Sequence, residues 1–169
     1  QWNFKPDSTF VVTADSTGNF PVSFSDEGLY FLQADTSVRE GFTLYRFHSG
    51  FPEISKTDQM IGPLRYLTSQ QEFDDLMAGN NKKLSVEQFW INCAGNQERA
   101  RDVIRQFYKR VADANKYFSS YIEGWKTDRG MIYLVYGPPT YVYKNYGFET
   151  WTYGDINTPN AVQIDFNKI

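Results

Sequence analysis

The chain has 169 residues, 41% hydrophobic and 22% charged, with a formal net charge of -3. That is a globular balance, long enough to bury a core without a metal or disulfide staple, and its sign argues against a general nucleic-acid binder. A single His (His48) and a single Cys (Cys93) cannot build a Cys/His zinc site or an intrachain disulfide, so neither metal nor cofactor is expected.

The aromatic content is high at 18%, which suits a β-rich envelope or extracellular module. No apolar run is long enough for a transmembrane segment. The first fifty residues read as β. Short runs at Phe10–Thr13, Phe20–Phe24, Leu29–Leu32 and Phe42–Phe47 alternate with turn chemistry at 15–18, 25–28 and 39–41. His48 ends the last run and is expected to be non-catalytic. Residues 48–68 mix Gly, Pro and polar residues and read as a linker.

Helix signals follow. Ser69 and Glu72 have capping-box spacing, and Gly79 can close that helix in the left-handed region. Ser85 and Gln88 form a second box, flanked by Leu84 and Phe89 as a hydrophobic staple; this helix stops at Gly95 and buries Cys93. Asn96 caps a third helix to about Ser119. Its apolar positions Ala100, Val103, Ile104, Phe107, Val111, Ala114 and Phe118 form one stripe, and its basic residues form a solvated face or a patch for an acidic partner. Runs at Met131–Tyr136, Phe148–Tyr153 and Ala161–Phe166 predict three antiparallel strands to cover the long helix. The expectation is an α+β chain: a β-rich module at 1–52, a linker with a short helix at 53–83, and an α+β domain at 84–169.

Gly124-Trp-Lys-Thr-Asp-Arg-Gly130, followed by Met131 to Pro139, resembles the bacterial GWxTD-motif domain family. Flanking blocks at Gln88–Trp90, Arg110–Asn115 and Phe148–Tyr153 support the resemblance over residues 84–169; Asn92–Gly95 departs from the acidic turn common in such domains. The resemblance implies an exported envelope protein, periplasmic or outer-membrane-associated and often lipid-anchored, with this segment as its C-terminal part. It implies no activity.

The motif residues Gly124, Trp125, Thr127, Asp128, Arg129 and Gly130 read as a structural junction. Gly124 ends a helix at positive φ and Trp125 plugs the gap to the sheet. Thr127 and Asp128 accept from backbone N–H groups, Arg129 pairs with Asp128 or Glu149, and Gly130 releases the chain into a strand. The leading functional expectation is a non-enzymatic envelope interaction or assembly module with a protein partner. The second is a glycan- or peptide-binding module using Tyr141, Tyr143, Asn145, Tyr146 and Trp151. The third is a hydrolase using Asp128 and Glu149 as a carboxylate pair.

Overall fold

The computed structural model describes residues 5–38 and 40–167. The chain divides after Arg46 into two compact units.

The first unit holds one antiparallel hairpin, β1 (Gly28–Leu32) and β2 (Phe42–Arg46), in the register Gly28 opposite Arg46 and Leu32 opposite Phe42. The runs expected as strands at 10–13 and 20–24 carry no strand, and Phe10, Val11 and Phe20 are exposed. Runs of four or five residues of β-propensity without a paired neighbour do not make a ladder. The turn expected at 39–41 includes Arg39, which lies outside the described residues.

The second unit is helical at its start and β at its end. The expected linker contains helix α1 (Thr57–Leu64), which the Gly62-Pro63 pair disguises as a break. Its Ile61 and Leu64 are fully buried, and Tyr108 Oη donates to the Met60 carbonyl at 2.9 Å. A domain beginning at residue 84 would therefore be cut through its own core. Helix α2 (Gln70–Ala78) starts at the Ser69 capping box as expected, but Gly79 closes it at φ -59, outside the left-handed region. Helix α3 (Lys82–Ala94) begins earlier than the sequence suggested. Asn81 Oδ1 accepts from Leu84 N and is the cap, Ser85 lies inside the helix donating to the Asn81 carbonyl, and Leu84 is exposed instead of stapling. Gly95 ends α3 at φ 79, a left-handed C-cap. Cys93 faces solvent, contrary to the expected burial, and partial desolvation with Glu72 nearby raises its thiol pKa.

Helix α4 (Gln97–Phe118) is capped by Asn96, whose Oδ1 accepts from Arg99 N at 2.9 Å. Its buried stripe of Ala100, Phe107, Val111 and Ala114 meets Trp90 of α3, with the Trp90 and Phe107 rings 5.2 Å apart. After one turn of 3-10 helix (Gly124–Lys126), the expected strand at 131–136 is helix α5 (Asp128–Tyr136). Thr127 caps it, and Gly130 and Leu134 are buried at the i, i+4 spacing of one helix face. The three-stranded antiparallel sheet is completed instead by β3 (Tyr141–Lys144), in the order β3-β4-β5 with β4 (Phe148–Tyr153) and β5 (Val162–Asn167). The long helix reaches this sheet at its C-terminal end, where Phe118 lies 5.4 Å from Trp151.

The GWxTD junction and the outer face of the sheet

The motif forms the joint between α4 and α5. Gly124 does not need positive φ; it needs the absence of a side chain. A Cβ there would stand 1.9 Å from the Ala114 carbonyl oxygen, and one on Gly130 would stand 1.8 Å from the Gly124 oxygen. Three backbone segments thus pass at distances that only glycine allows. Asn115, buried within α4, holds the joint from below: its Oδ1 accepts from Trp125 N at 3.4 Å, and its Nδ2 donates to the Pro52 carbonyl at 3.0 Å. Ser119 Oγ accepts from Gly124 N at 2.7 Å.

Trp125 is 7% exposed and packs edge-on to Tyr66, with its ring against Gly62. It fills the space between α1 and α4, not a gap at the sheet. Thr127 makes two bonds at once, its hydroxyl donating to the Gly124 carbonyl at 2.7 Å and accepting from Gly130 N at 3.1 Å. Asp128 is exposed in the first turn of α5, where the N-terminal end of the helix dipole favours an acid. Burial raises the Tyr66 pKa; Arg65 opposes that shift and Asp128 adds to it.

Arg129 carries the joint to the sheet. Its Nη2 lies 3.1 Å from Glu149 Oε2, and its guanidinium stands over the Phe166 ring. Glu149 is buried on β4, also meets Lys144 Nζ at 3.4 Å, and accepts from Trp151 Nε1 at 2.8 Å. Burial alone would raise its pKa. The Trp151 indole, Arg129 and Lys144 outweigh that and hold the carboxylate below the usual range. A general acid needs the opposite shift, so Glu149 is not held as one. Among the described residues no group of three His, Cys, Asp or Glu side chains is placed to hold a metal ion. His48 is buried against Phe51, with Nε2 3.7 Å from Glu123 Oε1.

The pairing of Val142 with Trp151 and Lys144 with Glu149 puts those side chains on the inner face of the sheet. Trp151 is 2% exposed there, within ring contact of Phe118, Tyr133 and Phe166, so it is not part of a ligand surface. The opposite face carries Tyr141 and Tyr143, 60% and 61% exposed, with Phe148 inclined against Tyr143 at 5.9 Å. On the same face Thr150 donates to Asp165 Oδ1, and Gln163 Nε2 donates to Thr152 Oγ1 at 3.5 Å. Asn145 is a turn residue: its Oδ1 accepts from Gly147 N and Phe148 N at 2.9 and 2.8 Å. Tyr146 is exposed at the hairpin tip. Of the predicted ligand residues, the structure brings Tyr141 and Tyr143 onto one face. The aromatic segment read from the sequence, Tyr141 to Phe148, included Phe148, but that reading missed Thr150, Thr152, Gln163 and Asp165 beside them; alternation along β4 could have found the two threonines, while Gln163 and Asp165 needed the register of β5.

The model of the GWxTD domain family matches residues 28–169. This chain belongs to the GWxTD domain family. The match extends well upstream of residue 84 and takes in the β1–β2 hairpin and helices α1 to α3 of the GWxTD domain. Neither a curated protein nor a solved structure matches the chain. No helix among the described residues is long and apolar enough to cross a membrane.

Proposed function

We propose that this GWxTD domain is a non-enzymatic interaction module of an exported cell-envelope protein, the C-terminal part of a longer chain that is periplasmic or held at the outer membrane by a lipid anchor. The outer face of the β3–β5 sheet is its contact surface for a protein partner. The observation that carries this is the pair Tyr141 and Tyr143, exposed side by side on a sheet whose other face is locked into the core by Trp151. With Phe148 they leave roughly 300 Å² of ring surface in water, the lower end of the largest apolar patch on a typical monomer, and such patches are often functional.

A second reading, glycan binding, is favoured by the exposed Asp165 and Gln163 on the same face, positioned by Thr150 and the buried Thr152. Ring faces stack on sugars while such groups meet hydroxyls. Capture of partners from detergent-solubilised envelope, with wild type against Tyr141→Ser/Tyr143→Ser, tests the proposal. A protein lost from the variant while its melting temperature holds is the expected result; equal capture refutes it. Calorimetric titration with peptidoglycan fragments separates the second reading, since the buried Trp151 would not report by fluorescence.

A further inference from the structure

The register of the sheet shapes its outer face. Tyr143, Thr150 and Asp165 stand in one row across β3, β4 and β5, and Tyr141, Thr152 and Gln163 stand in the next. Small residues on the central strand lie between larger ones on its neighbours, so the face is a trough. Its walls are the two tyrosines on β3 and the pair Gln163 and Asp165 on β5, two strand spacings or about 10 Å apart. Its floor is Thr150 and Thr152, and Thr152 is only 4% exposed. Phe148, the next outward residue of β4, closes one end.

The chemistry of the trough is one-sided. Both floor hydroxyls are engaged by the polar wall: Thr150 Oγ1 donates to Asp165 Oδ1, and Thr152 Oγ1 accepts from Gln163 Nε2. What stays open to a ligand is a carboxylate on one wall and two aromatic rings on the other. The face of an aromatic ring and a carboxylate attract the same group, a cation. The sheet does not supply one. Lys144 and Arg129 lie on its inner side, both engaged by Glu149, and among the described residues Asp165 has no cationic partner.

We propose that the trough seats an arginine of the protein partner, its guanidinium against the Tyr143 ring and paired with Asp165. This rests on the outer face being a contact surface and adds the chemistry of what meets it. Arginine suits the trough better than lysine, because its planar head both stacks on a ring and bonds a carboxylate through its fork. Arginine and tyrosine are also the residues enriched where protein interfaces hold most of their binding energy.

The test is an NMR titration of the isotope-labelled full chain with a glycine–arginine peptide, and with its counterpart carrying neutral citrulline in place of arginine. Shifts of the Tyr143, Thr150 and Asp165 amides with the arginine peptide alone, at millimolar concentration and weakening as salt rises, are expected. Asp165→Asn and Tyr143→Ser should each weaken binding roughly two- to fivefold. The Asn variant keeps an oxygen for the Thr150 hydroxyl, so the sheet is preserved. Asp102→Asn, which removes the same charge from α4, should leave binding unaltered. Equal binding of the two peptides, no shift in the trough, or an unaffected Asp165→Asn overturns the proposal. So does a peptidoglycan fragment that shifts these amides while the arginine peptide does not, which would assign the trough to a sugar. Envelope capture separates this from the proposed function. A partner retained by Asp165→Asn yet lost from Tyr141→Ser/Tyr143→Ser leaves the outer face a contact surface and refutes the arginine alone.

Discussion

Gly130→Ala puts a methyl group where the backbone of Gly124 already stands. The new Cβ would lie 1.8 Å from the Gly124 oxygen and 2.8 Å from Trp125 Cα, against ordinary contacts of 3.4–4 Å. The clash is with backbone, so no side chain can rotate away, and the 3-10 turn must move from α5 by more than an ångström. Overpacking of this kind costs about 1–3 kcal/mol, and the absence of a soft neighbour places Gly130→Ala at the upper end. In a chain of this length that corresponds to a fall in melting temperature of roughly 6–12 °C. Gly147→Ala is the comparison. Its Cβ meets nothing closer than Asn145 Oδ1 at 3.9 Å, and its φ is not positive, so the melting temperature should hold or rise slightly. Thermal unfolding followed by circular dichroism reads both. Gly130→Ala melting with wild type would show that α5 and the 3-10 turn are not held at the spacing described, and the account of the motif would fail.

Three further outcomes follow from the same geometry. Trp125→Ala should cost about 3–5 kcal/mol by denaturant titration, as for a large buried side chain whose space α1 and α4 cannot close. Glu149 has a folded pKa below its unfolded one, so it contributes stability above the unfolded carboxylate range that is lost as pH falls through the folded value; Glu149→Gln should flatten the acid side of the stability–pH curve. The β1–β2 hairpin has two strands of five residues and exposed Leu29, Phe31 and Phe42, so residues 1–46 expressed alone should show no protected amides by hydrogen exchange, while 47–169 keep theirs.

Helix ends were the most legible part of the sequence. The Ser69 box, the Asn96 cap and the Gly95 stop are local chemistry, and the α4 stripe has a period that only a helix satisfies. The Arg129 to Glu149 pair could be anticipated because both charges lie near an expected strand junction. Other features depended on distant contacts. Met131 to Tyr136 is rich in strand-forming residues, yet Thr127 caps it and Leu134 needs the core beneath α4, so packing overrides propensity. Helix α1 was hidden by Gly62 and Pro63, and Gly62 is small because Trp125 lies against it. Trp151 looked like part of an aromatic surface; only the pairing of β3 with β4 shows that it faces inward while Tyr141 and Tyr143 face out.

The central claim is that the motif is architecture and that the outer sheet face makes contact. A photoreactive phenylalanine analogue placed at Tyr143, and separately at Asp128, tests it in native envelope. Both positions are exposed, so both can report. The account predicts a discrete crosslinked partner from position 143 and none from position 128. A partner crosslinked from 128, with 143 silent, would contradict it.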